Sequence, residues 1–313
     1  GGLSKIRSFH ARNKSAEVFI RIDLSESNRE FAEGDEDKPP KWTYKIGIKT
    51  ERPRSGAVVV SHEAVYKDGK KLLQRPDKQD EEDPERFRQT HLEQIGSNRT
   101  FRDIADFLSG ISYMHLVPQL LDRMKEIDEK TRDIYLRKIS SVVGAASPGL
   151  DDVRFDQDPF GRYQITASRS IGGSKSVRLE QKQLSDGTLK LIGLVWSLLE
   201  KSAALLLEEP EDALHFGIVG KFTWLLYKAQ EGQKNRYQTF VSTHSRELLS
   251  DEQIDPREVL MLEPSPNSVQ GANIYVANEF DFVKTLLEVG ESIGDIVVPT
   301  TKSKDHLKLA FDV

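Results

Sequence analysis

The chain has 313 residues, 37% hydrophobic and 30% charged, enough for one extended α/β domain or two smaller ones. It holds no cysteine, which excludes disulfides and thiolate metal sites and suits a reducing cytosol; no apolar run approaches the ~20 residues that span a bilayer. A formal net charge of −5 gives no global electrostatic case for nucleic acid, although a local basic groove is compatible with it.

The first third reads as β-rich. "AEVFIRIDL" (16–24), "KWTYKIGIKT" (41–50) and "GAVVVSHEAVYKDGKKLLQ" (56–74) alternate apolar and polar residues with period two, and Gly69 marks a hairpin turn. An acidic loop, "ESNREFAEGDEDKPP", separates the first two segments. The charge run "PDKQDEEDPERFRQ" (about 76–90) is expected to be a solvated loop, and its acids lack the spacing of a metal site.

From 91 to 143 the apolar spacing turns helical, with an interruption near Pro118. Leu120, Met124, Ile127, Ile134 and Ile139 share one face, and Met114 and His115 are expected to pack or cap rather than ligate. Strands return over 149–181, turning at Gly172-Gly173. "GGSKS" there lacks the order and spacer of G-x-x-x-x-G-K-[ST] and lies between strands, so it reads as a hairpin tip. The last 130 residues alternate: helix "LSDGTLKLIGLVWSLLEKS", strand "AALLLEE", helix "FGIVGKFTWLLYKAQ", strands "YQTFVSTHS" and "EVLMLEP". That rhythm, with nearly all-apolar strands, predicts a parallel sheet covered by helices. "NIYVA", the helix "FDFVKTLLEVG" and a tail, "IVVPTTKSKDHLKLAFDV", complete the chain.

In such a sheet, functional groups gather beyond the carboxyl ends of the strands. Glu208 and Glu209 end one strand, Ser242, Thr243, His244 and Ser245 end the next, and "LSDGT" (184–188) opens the helix before the first. Each has an ordinary alternative, as a helix cap, a solvated acidic loop or a satisfied histidine. Uncompensated paired carboxylates at the end of a buried strand are costly, so the pair needs an explanation.

"QLSDGTLKLIGL…ALLLEEPEDALH…FVSTHS" resembles the ABC-type ATPase heads of the SMC, RecF and OLD-like group, most closely the short-armed AAA-type, SMC-like ATPases of bacteria. The motifs cover residues 181–246; the β-rich start, "FRDIADFLSGISYMHLVPQLL" and "GDIVVP" are similar to that group as well. The resemblance implies an α/β head with an antiparallel β-rich lobe (1–90), a helical insertion (91–148) and a mostly parallel sheet flanked by helices (149–313). It also implies ATP hydrolysis between two heads arranged head to tail. Ser185, Asp186 and Gly187 match the signature loop, where Ser185 would donate to the γ-phosphate and Gly187 would let backbone N–H groups approach. Glu208 matches the position that holds Mg²⁺ and carries one methylene more than the Asp of many relatives. Glu209 matches the catalytic position that polarises the attacking water. His215 matches the loop that reaches across the dimer, and His244 the switch histidine at the γ-phosphate.

The family's Walker A loop, G-x-x-x-x-G-K-[ST], does not occur in these residues. It lies in relatives upstream of a segment much like "GGLSKIRSF", so the chain is expected to begin just after it and, alone, to bind ATP poorly. The partners implied are a second copy or higher oligomer of the chain and a separate nuclease or toxin effector, with a nucleic-acid clamp as another target and no membrane. A cytoplasmic role in DNA repair or defence against phage follows from the resemblance alone. A non-hydrolysing scaffold subunit stays open beside it.

Overall fold

In a computed structural model that describes residues 17–25, 39–51, 57–114, 117–172, 175–200, 202–212, 216–230, 237–264 and 272–301, the period-two segments form an antiparallel meander. Its strands are β1 (Val18–Leu24), β2 (Trp42–Thr50), β3 (Val58–Lys67) and β4 (Lys70–Arg75), paired in that order. Asp68 and Gly69 join β3 to β4 with φ of 48° and 75°, the two positive values of a tight hairpin turn. The acidic loop lies mostly outside the described residues, as does the Gly1-Gly2 start.

The chain divides into two compact units: Gly1–Ser109 with Ser265–Gly271, and Gly110–Pro264 with Ala272–Val313. In the first, Trp42, Tyr44 and Val65 pack on Phe101 and on Ile104 of helix α2 (Arg102–Ser109). Here the charge run departs from expectation. It forms helix α1 (Lys78–Glu82), capped by Asp77, and a 3₁₀ turn over Pro84–Arg88. The reason is Arg75, 1% exposed, which gives all five guanidinium N–H groups to protein acceptors. They reach Asp80 (2.9 and 2.7 Å), Glu63 (3.1 Å) and the carbonyls of Arg86 (2.8 Å) and Gln89 (2.9 Å). Glu63, fully buried, also accepts from the backbone of His91 and Leu92 and from the Tyr44 hydroxyl. Burial alone would raise the Asp80 pKa, but the Arg75 hydrogen bonds outweigh it and hold that carboxyl well below its usual range.

The second unit is built around helix α5 (Asp186–Leu199), in which ten residues are buried. One flank packs Ile192, Val195 and Trp196 on Ile139 and Val143 of helix α4 (Glu129–Ala146) and on Val153 and Ile165 of an antiparallel sheet. That sheet is β6 (Leu150–Gln157), β7 (Tyr163–Ser170) and β8 (Ser176–Leu179), as expected; Gly173 and Ser174 of its tip lie outside the described residues. The other flank sets Leu194 and Leu198 on Leu205 and Leu207 of β9 (Ala204–Glu208) and on Phe222 and Leu225 of helix α7 (Phe222–Gln230). A helix that is apolar all round is a core helix, and this one joins two sheets.

The parallel sheet has three strands, ordered β10 (Gln238–Ser242), β9, β5 (Ile111–Met114). β5 corrects the helical reading of 91–143: four residues pair in parallel with β9 before helix α3 (Val117–Glu126) begins. The parallel expectation also stops short of β11 (Leu260–Pro264), which pairs antiparallel with β12 (Ala272–Val276). This pair builds a third core with helices α9 (Asp281–Glu288) and α10 (Ile293–Thr301), so the first part of the expected tail is helical.

Candidate functional site

β9 is the middle strand, and its last residue, Glu208, stands opposite Ser242 of β10. The Glu209 N–H donates to the Ser242 carbonyl (2.9 Å), which carries the ladder one step further. There the backbone breaks out of the sheet: Glu209 has φ of 41°, and its carbonyl accepts from Asp212 N–H (3.0 Å) to close a turn. A glutamate in the left-handed region is held there at a cost, and such residues cluster at functional sites.

Three carboxylates follow one another at this exit, and each is held by a neighbouring strand end. Tyr113, from β5, donates its hydroxyl to Glu208 Oε2. His244 Nδ1, just past β10, lies 3.0 Å from Glu209 Oε1, with both side chains substantially exposed. Thr243 donates to Glu211 Oε1, and Glu211 Oε2 is buried with no hydrogen-bond partner among the described residues. The hydrogen bond that the neutral Tyr113 phenol donates to Glu208 stabilises its protonated form and pushes its pKa up.

The segment after β10 is fixed on its far side. The Ser245 N–H donates to Thr243 Oγ1 (2.9 Å), and Ser245 Oγ caps the short helix α8 (Arg246–Leu249) by accepting from Leu248 N–H (3.2 Å). α10 packs directly on α8: a Cβ on Gly294 would fall 2.2 Å from the Arg246 carbonyl oxygen, so only glycine allows that approach. Arg246 pairs with Asp295 (3.2 Å) across the same contact.

Ser185 is the N-cap of α5; its hydroxyl accepts from Thr188 N–H (3.2 Å) and meets Thr188 Oγ1 (2.9 Å). The capping role open to it from sequence is therefore realised. Asp186 and Gly187 form the first turn of α5, where backbone N–H groups lack helical acceptors. One turn on, Lys190 Nζ donates to the Asp212 carbonyl (3.0 Å), which ties α5 to the turn after Glu209. His215 lies outside the described residues. A cleft of about 580 Å³ opens at the start of α5, lined in part by Phe160, Tyr163 and Asp186. Four of its charges pair with one another, Arg162 with Asp158 (2.7 Å) and Lys182 with Glu180 (2.8 Å), and Glu208, Glu209 and His244 are not part of it.

Among the described residues no group of three His, Cys, Asp or Glu is arranged to hold a metal unaided. Glu208, exposed at the open end of the central strand, presents a single carboxylate, the oxygen-donor chemistry that a nucleotide-bound Mg²⁺ would take.

Sequence reasoning missed Tyr113 because β5 was hidden in a helical reading. It missed Glu211 because the eye stops at the Glu208–Glu209 pair.

These sheets around a buried helix, with acids at the central strand's exit and a histidine beyond the next, make an α/β domain of the AAA class. The chain belongs to the family described as "AAA domain, putative AbiEii toxin, Type IV TA system", whose model matches residues 23–250. Among solved structures it is similar to an SMC head bound to the C-winged helix domain of ScpA: 14% identity, 78% of this chain and 77% of that one, TM-score 0.41. It is also similar to the SMC head domain of Thermotoga maritima, with 16% identity, 77% and 76% coverage and a TM-score of 0.37. Values this low carry no inference about activity or partners. A comparison with curated proteins gave no match. Among the described residues no helix is long and apolar enough to cross a membrane.

Proposed function

We propose that this chain is an ATP-hydrolysing switch that dimerises head to tail around nucleotide and acts on a separate effector in the cytoplasm. The observation that carries the reading is the Glu209–His244 pair, 3.0 Å apart at the exits of adjacent parallel strands. Glu209 accepts a hydrogen bond from the attacking water and draws its proton away as the oxygen approaches the γ-phosphate in line. His244 orients that carboxylate through Nδ1 and presents its ring to the phosphate. Glu208 would hold Mg²⁺, which would supply positive charge against the phosphates. Ser185, Asp186 and Gly187, at the N-terminus of α5, face the nucleotide of the opposite head. The family description names a putative toxin of a Type IV TA system, which favours an effector of toxin type; a nuclease effector, antiviral defence, DNA repair and a nucleic-acid clamp rest on the resemblance to such heads alone.

The test is steady-state ATP turnover, beside sedimentation with ATP, of the protein carrying the Walker A segment that the chemistry requires. Glu209→Gln should lower turnover by at least ~100-fold and keep the ATP-dependent dimer. Equal turnover in both proteins removes Glu209 from the mechanism. ATP-dependent dimers with no turnover in either identify the non-hydrolysing scaffold instead.

A further inference from the structure

Glu208 differs from an aspartate by one rotatable bond, and at an exposed strand end that bond would let its carboxylate swing. The structure offers a restraint from the other side of the sheet. β5 runs parallel to β9 in a register that sets Tyr113 opposite Leu206, so that the tyrosine hydroxyl reaches forward to the Glu208 carboxylate. The contact joins residues 95 positions apart and uses the one oxygen, Oε2. A side chain as long as tyrosine is required: Leu206 itself lies two residues short of Glu208 along the strand, about 7 Å.

Resting on the reading of Glu208 as the Mg²⁺ holder, we propose that Tyr113 is a positioning residue for the metal site. Its hydroxyl fixes the rotation of the Glu208 carboxylate and so presets the direction in which the acid meets the cation. Partners of this kind, which hydrogen-bond a metal-ligating carboxylate from behind, commonly govern affinity as strongly as a weak ligand does. The strands supply the precision: Tyr113 stands on a paired β-residue rather than on a loop, and Ser112 beside it bonds Ser202 Oγ at 3.0 Å, which anchors β5 at the level of the strand. The role is specific to a glutamate, because an aspartate at 208 would draw the carboxylate back out of reach of the hydroxyl.

The experiment uses the Mn²⁺ complex of a non-hydrolysable ATP analogue and reads the enhancement of water proton relaxation when that complex binds the protein carrying the Walker A segment. Tyr113→Phe should raise the half-saturating concentration about tenfold without shifting the melting temperature, whereas Glu208→Ala should abolish the enhancement. In a Glu208→Asp background, Tyr113→Phe should change nothing further, an outcome that a merely structural role for the ring would not produce. Loss with Glu208→Ala but unchanged binding in Tyr113→Phe overturns the positioning role alone. Full enhancement in Glu208→Ala, or none in the unsubstituted protein, overturns the metal reading and the proposal with it.

Discussion

Arg75→Met replaces a buried guanidinium by an apolar chain of similar length and leaves two buried acids behind. Arg75 gives three of its five hydrogen bonds to Asp80 and Glu63 and two to main-chain carbonyls. Removing one partner of a buried charge pair typically costs about 3–5 kcal/mol. The lower end of that range is expected here. Asp80 keeps Arg86 Nε (3.1 Å) and the Asp77 N–H (3.0 Å), and Glu63 keeps two backbone donors and Tyr44. A loss of about 3 kcal/mol should accelerate amide hydrogen exchange in β3 and β4 by a factor of ~100, measured in the whole protein. The pH dependence has a definite sign. In the native protein Asp80 has a lowered pKa, so its contribution is fully present above its unfolded value near 4 and is lost as pH falls through the native one. Without Arg75, burial dominates and the same acid resists ionisation, so the defect is largest at neutral pH and shrinks on acidification toward pH 5. Unchanged protection at pH 7, or a defect independent of pH between 7 and 5, would refute the view that this hub orders residues 76–92.

Two further substitutions separate structural from chemical roles at the strand ends. Ser185→Ala should cost about 1 kcal/mol through the lost N-cap, and Ser185→Gly only a few tenths; if the hydroxyl serves phosphate, both should lose turnover alike, and turnover that tracks stability instead would reduce Ser185 to a cap. Thr243→Val removes the donor to Glu211 and the acceptor for Ser245 N–H, and should lower stability by about 1–3 kcal/mol in chemical denaturation; an unchanged midpoint would show that neither bond matters.

What the sequence reveals follows the range of the forces involved. β1 to β4 are legible because period-two alternation is local, and α5, β9 and β10 because long apolar runs leave few alternatives. β5 is not: "ISYM" inside a stretch of helical spacing is too short for its own period, and only pairing with β9 makes it a strand. The order of 76–92 is invisible for a related reason. A run of charges reads as solvated until Arg75 at its start finds Glu63, twelve residues back on the preceding strand. β11 has the composition of a parallel strand and becomes antiparallel through β12, a choice that no residue within it encodes. The site was legible only where its residues fall in consecutive motifs. Glu208, Glu209 and His244 do; Tyr113 meets Glu208 from a distant part of the chain.

Glu209 carries its own test, because its backbone and its carboxylate make opposite demands. At φ of 41° an L-residue bears a steric cost of about 1–2 kcal/mol, which glycine escapes. Glycine gives back about 0.4–1 kcal/mol through the freer unfolded chain. Glu209→Gly keeps the N–H that bonds Ser242 and discards only an exposed pair with His244, worth little to stability. The net expectation is a protein more stable by about 0.5–1 kcal/mol in urea titration and without turnover. Glu209→Gln, which keeps the strain and loses the charge, should be neither more stable nor active. A sequence that retains a strained glutamate where glycine would fold better is holding it for its carboxylate. Were Glu209→Gly instead to destabilise the fold by 1 kcal/mol or more, the left-handed turn would be a comfortable one, and the strain could not be taken as a mark of function.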